Sequence, residues 1–86
     1  MSRTRYAFII KAPGYNSTTH AAHMESSEFD ARFIGVNDAD EALVAAEALV
    51  AAGTQVIELC GGFTSQEASN LRRHFPSIDI GRVAYP

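Results

Sequence analysis

The fold of this chain is decided by one stretch, Gln55-Val-Ile-Glu-Leu-Cys-Gly-Gly-Phe-Thr64, in which a short apolar run ends at two glycines. Apolar runs of about four to eight residues bounded by turn residues are typical of buried strands, so 55–60 predicts a strand with Glu58 as its one charged residue. Thr64, followed three residues later by Glu67, has the pattern of a capping box and predicts the start of a helix. A strand therefore leads into a helix N-terminus, which is where open parallel sheets commonly bind ligands.

Three further strands are predicted, two before this stretch and one after it. Residues 5–11 are apolar on both alternating faces, as in a central strand that is covered above and below. Residues 28–36 alternate between apolar and polar side chains, which predicts a strand at the edge of the sheet. Residues 79–85 predict a last, weaker strand that is interrupted by Gly81.

Helices are predicted between each pair of strands. The Pro13-Gly14 turn is followed by Asn16 or Ser17 as the cap of a short helix through about residue 24. Asn37 or Asp38 caps the longest helix, which Gly53 ends. A third helix spans 64–75 and ends before Pro76.

This order of elements predicts one α/β domain over residues 1–86, with the sequence β-α-β-α-β-α-β. Strands that alternate with helices favour a four-stranded, mainly parallel sheet in the flavodoxin-like order 2-1-3-4. A curved sheet in the order 1-2-3-4, like half of a β/α barrel, is the alternative. In either arrangement part of the sheet lacks a helix cover, which predicts a homodimer or a larger assembly.

Composition excludes several classes of protein. The chain is 47% hydrophobic and 20% charged, as in globular domains, and its net charge of −3 without a basic run argues against nucleic-acid binding. The apolar run at 6–10 is too short for a signal peptide or a membrane helix. Cys60 is the only cysteine, so no intrachain disulfide forms, and a reducing cytoplasm is the expected location.

The predicted order 2-1-3-4 brings the 11–16 and 60–64 loops to one crevice, because the chain reverses direction between the strands that precede them. The candidate ligand-binding residues in this crevice are Lys11, Tyr15, His20, Gly61, Gly62 and Thr64. Glu58 and Cys60 are the candidates for catalysis. No motif identifies a cofactor, since the Gly-Gly turn lacks the remaining residues of a dinucleotide fingerprint or a P-loop.

Each catalytic candidate also has a purely structural interpretation. Glu58 is a general base or a ligand acceptor if it is free, and a structural group if it pairs with Lys11, with a backbone N–H or across an interface. Cys60 precedes a helix N-terminus, which favours a thiolate, but a nucleophile needs a base such as His20 or His23 beside it. A buried core cysteine is the alternative. The two histidines, three residues apart, are too weak a pattern to predict a metal site.

The sequence resembles a small bacterial family of uncharacterised α/β domains. The shared motifs are Ala-Phe-Ile followed by Ala-Pro-Gly, found here within 7–14, and Ile-Glu-Leu-Cys-Gly-Gly-Phe, found at 57–63. This resemblance implies a domain of unknown function with no established activity.

Two functional hypotheses follow. The first is a domain that binds a small anionic or carbonyl-bearing metabolite between the 11–16 and 60–64 loops, with or without catalysis through Glu58. The second is a structural module for self-association that has no ligand site.

Overall fold

The computed structural model describes residues 3–86, which form a five-stranded mixed sheet with two helices. The elements are β1 (Thr4–Lys11), β2 (Ala21–Glu25), β3 (Phe29–Val36), α1 (Ala39–Ala51), β4 (Val56–Leu59), α2 (Ser65–His74) and β5 (Asp79–Arg82). The strand order is β2-β3-β1-β4-β5. β2 is antiparallel to β3, and the other neighbours are parallel.

The prediction of a helix over 16–24 is wrong, because this segment forms a turn and the edge strand β2. The amides of Thr19 and His20 donate to the Asn16 carbonyl, which closes the turn. β2 then pairs with β3 through a tight connection in which the Ser26 amide donates to the Phe29 carbonyl at 2.9 Å. Pairing with the free edge of β3 outweighs the weak local helix signal of this segment.

The sheet consequently differs from the predicted four parallel strands. The four parallel strands lie in the order β3-β1-β4-β5, and β2 adds a fifth, antiparallel strand beside β3. The alternative order 1-2-3-4 is wrong, because β1 lies between β3 and β4. The α/β class is confirmed.

Both helices lie on the same side of the sheet. The connections β3-α1-β4 and β4-α2-β5 step in the same direction across the sheet, and right-handed crossovers of that kind place their helices on one face. The side chains of Ile9, Ile57 and Leu59 point to this face and are at most 1% exposed. They form the core together with residues of both helices, among them Ala42, Ala46, Leu49, Ala68 and Leu71.

The opposite face of the sheet has no helix over it among residues 3–86, and we call it the open face. Residues opposite each other on neighbouring parallel strands share a face, so Phe8 lies on the same side as Phe33 and Glu58. By this register the main side chains of the open face are Tyr6, Phe8, Ile10, Met24, Phe29, Phe33 and Glu58.

Candidate functional site

The turn after β4 touches the end of β1. The Cys60 Sγ accepts hydrogen bonds from the Lys11 amide at 3.3 Å and the Gly62 amide at 3.4 Å. A Cβ atom at position 62 would lie 2.8 Å from the Lys11 carbonyl oxygen, so only glycine allows this approach without a shift. The carboxyl ends of β1 and β4 are therefore tied together at this corner.

A charged pair closes the N-terminus of α2 next to this corner. Thr64 caps the helix: its Oγ1 accepts from the Glu67 amide at 3.1 Å, and Glu67 Oε1 accepts from the Thr64 amide at 2.8 Å. Lys11 Nζ also donates to Glu67 Oε1, at 2.8 Å. The hydrogen bond from Lys11, helped by the Thr64 amide, lowers the pKa of Glu67. An external anion would gain little electrostatic free energy by binding here, because Glu67 already supplies the negative charge that the helix N-terminus and Lys11 attract.

A cleft of about 320 Å³ lies between the two helices beside this pair. Its lining combines apolar side chains from both helices with polar groups from α2, namely Ala39, Leu43, Gln66, Glu67, Asn70 and Leu71. Ligand pockets commonly measure about 300–1,000 Å³ and place a few polar groups on apolar walls. Glu67 joins the cleft to Lys11 and Thr64 from the predicted set of site residues.

Tyr15 and His20 lie elsewhere, on the β3 side of β1. Their ring centroids are 5.1 Å apart, and the Tyr15 ring covers Gly35 of β3. The loop that carries them is fixed to the start of α1, where Glu41 Oε2 accepts from the Ser17 amide at 2.7 Å. Gly61, Gly62 and Thr64 follow β4 on the other side of β1, so the structure does not bring the whole predicted set into one crevice.

Glu58 lies on the open face, away from the cleft. Lys11 points to the helix side and pairs with Glu67, so the suggested Glu58–Lys11 pair does not form. Glu58 Oε1 lies 2.6 Å from the position that a Cβ atom would take at Gly81. Because glycine has no Cβ, the carboxylate can lie over β5. Burial, and then the negative charge of Glu58, raise the pKa of Tyr6. Within residues 3–86 no salt bridge involves the Glu58 carboxylate.

Cys60 has only backbone partners within the described residues. Besides the two amides, its S–H faces the Lys11 carbonyl at 3.8 Å. The two histidines suggested as its base are engaged elsewhere: His20 Nδ1 accepts from the Asn16 amide at 3.0 Å, and His23 Nε2 contacts Asp30. The thiol thus contacts backbone groups of the corner, and its role in catalysis stays a prediction.

A second charged cluster joins β2, β3 and Arg3, the residue before β1, on the helix side of the sheet. Ligand-type atoms of His23, Glu25 and Asp30 lie within 4.8 Å of one another. The Arg3 guanidinium bonds to Glu25 Oε2 at 2.5 Å and approaches Asp30 Oδ2 to 3.4 Å, so the cluster already holds a cation. Burial acts to raise the pKa of Asp30, but the His23 hydrogen bond and the charges of His23, Arg3 and Arg32 outweigh it, and this pKa is lowered.

The residues of the cleft were not in the predicted set. Gln66 and Asn70 are four apart on α2, and therefore neighbours on one helix face, which is the only sequence signal for them. This spacing indicates a cleft only once α1 is known to pack beside α2 on the same side of the sheet.

Fold and sites together define a two-layer α/β domain with a mixed sheet, an interhelical cleft on one side and an aromatic face on the other. Residues 4–86 match the family of unknown function DUF6506, and the chain belongs to that family. No curated protein and no solved structure matches the chain. Neither helix within residues 3–86 has the length and apolar character needed to cross a membrane.

Proposed function

We propose that this domain binds a small carbonyl-bearing metabolite in the cleft between α1 and α2. The observation that carries the proposal is the cleft itself: about 320 Å³, bordered by apolar side chains and by the amide groups of Gln66 and Asn70. Four of its residues, Ala39, Leu43, Gln66 and Glu67, belong to the first halves of the two helices. These halves lie close to the carboxyl ends of the parallel strands, where open α/β sheets bind their ligands.

The chemistry of the cleft favours a carbonyl compound over an anion. Leu43 and Leu71 offer hydrocarbon contact, and the side-chain amides of Gln66 and Asn70 can donate to a carbonyl oxygen. A carboxylate ligand would meet the carboxylate of Glu67, whose charge Lys11 already balances. Lys11, Gly62 and Thr64 then serve binding indirectly, since they hold Glu67 and the start of α2 in place.

A matched probe series tests this proposal. Cyclohexanone and cyclohexanecarboxamide share a ring with cyclohexanecarboxylate but differ from it in charge. We expect the two neutral probes to shift the side-chain amide NMR signals of Gln66 and Asn70 in a saturable way, and the carboxylate to bind more weakly.

Substitution locates the binding. Gln66→Ala and Asn70→Ala change exposed side chains at the cleft and are expected to weaken binding of both neutral probes. Glu47→Ala, an exposed position of α1 that does not border the cleft, is the control and should leave binding unchanged. Absence of saturable shifts, or equal effects in all three variants, would refute the proposal.

A further inference from the structure

We propose that the open face docks a second copy of this chain, so that two sheets pack face to face in a homodimer. The first observation is the chemistry of this face. Tyr6 and Phe29 have ring centroids 5.7 Å apart, and Phe8 and Phe33 form a second pair at 6.5 Å with near-parallel rings. Four aromatic rings thus lie side by side on β1 and β3, the two longest strands.

These side chains are accessible in the single chain. Met24 is 62% exposed and Phe29 is 44% exposed. Between them lies a depression of about 450 Å³, lined mainly by apolar side chains of β1, β2 and β3. Contiguous exposed apolar surface of this kind marks an interaction site in soluble proteins.

The area of the face matches what a dimer needs. The five strands contain eight, five, eight, four and four residues. At about 4.8 Å between strands and about 3.3 Å per residue, they form a face of roughly 24 Å by 19 Å, or ~450 Å² in projection. Side chains roughen this surface, so two copies bury ~1,000 Å² or more of accessible area, which is the threshold for a specific interface.

The composition of the face selects a second copy as its occupant. The open face carries no lysine or arginine, and the chain has a net charge of −3, so a nucleic acid is disfavoured. Sheets of this kind bury their apolar faces against each other at about 10 Å separation. A domain of 86 residues buries a smaller share of its surface than a larger domain does, and a two-fold homodimer would bury more of it.

The test compares the open face with the other exposed apolar surface of the chain. Light scattering over a wide range of protein concentrations should give twice the chain mass of 9.3 kDa for the wild type. The double variant Met24→Gln/Phe29→Gln changes only exposed side chains, so it should keep the circular dichroism spectrum of the wild type. Its dimer dissociation constant should rise by about tenfold or more.

Val44→Gln is the control. Val44 is 65% exposed on α1, as accessible as Met24, but it lies on the helix side of the molecule. This variant should leave the dissociation constant unchanged. A wild-type monomer at all concentrations would overturn the proposal, as would a dimer that Val44→Gln disrupts and the double variant leaves intact.

Glu58 provides a second, independent readout. Glu58 lies on the open face, as Asp79 does by the register of β5, and covering a carboxylate without a partner costs free energy. Glu58→Gln removes that cost, so the dimer dissociation constant should fall. A constant that stays the same or rises would contradict docking across the whole face.

Discussion

Gly62→Ala tests whether the turn after β4 presses against the end of β1. The new Cβ would lie 2.8 Å from the Lys11 carbonyl oxygen and 3.3 Å from Cys60 Sγ. This carbonyl cannot easily move away, because the end of β1 is held by hydrogen bonds from Cys60 to Ile9 and from Ala12 to Val36. Overpacking against fixed atoms typically costs about 1–3 kcal/mol.

Gly61→Ala is the matched control on the neighbouring residue. Neither glycine has a positive φ, so backbone strain is the same small factor in both variants. The Cβ at position 61 would meet the ring of Tyr85 at 3.0 Å, but Tyr85 is 81% exposed and can swing away. Both variants gain about 0.4–1 kcal/mol from the stiffer unfolded chain.

The two variants should therefore differ in free energy of unfolding by about 1–3 kcal/mol, with Gly62→Ala the less stable. Urea unfolding followed by circular dichroism measures this difference. In a domain of this size each 1 kcal/mol shifts Tm by about 4–8 °C, so thermal unfolding provides a check. Equal stabilities of the two variants would refute the contact between the turn and β1.

Two further predictions concern the start of α2 and the acid response. Thr64→Ala removes the acceptor of the Glu67 amide and should lower the free energy of unfolding by about 1 kcal/mol. Thr64→Ser keeps a hydroxyl acceptor and should retain most of the wild-type stability. Urea unfolding would contradict the cap if both variants were as stable as the wild type. The pKa of Glu67 is lowered in the folded chain, so its stabilising contribution is complete above the ordinary glutamate pKa of about 4.3 and is lost as the pH falls through the lowered value. Lys11→Met removes the main cause of that shift, and unfolding followed from pH 6 to pH 2, about the range of carboxyl titration, should show a weaker loss of stability; an unchanged acid response would refute the Lys11–Glu67 pair.

The parts of the fold that local patterns control were predictable from the sequence. The strand that contains Ile57 and Leu59 forms where its apolar run indicates, and Thr64 with Glu67 forms the predicted capping box. Asp38 caps α1 by accepting from the Glu41 amide. The signals for these features come from residues close together in the sequence, so local patterns were enough to predict them.

The remaining features depend on partners far apart in the chain. β2 forms because the edge of β3 offers hydrogen bonds to residues 21–25, and no local signal in those residues specifies that pairing. The loss of the predicted first helix leaves one side of the sheet uncovered, which creates the aromatic face. The cleft lies on the other side, between α1 and α2. Lys11 pairs with Glu67 across 56 positions of sequence, rather than with Glu58. The candidate residues could be chosen from the chemistry of their side chains. Which of them lie close together could be known only from the order and register of the strands.

One side of the sheet is bare in the single chain, and we propose that a second copy covers it. Met24 lies on that side, and the chain contains only two methionines, so ¹³C-methyl labelling gives a reporter for the open face that is simple to assign. We predict that the Met24 methyl signal shifts with protein concentration along the same binding curve that light scattering gives for the mass. A Met24 signal that stays constant while the mass doubles would place the interface elsewhere and contradict the claim.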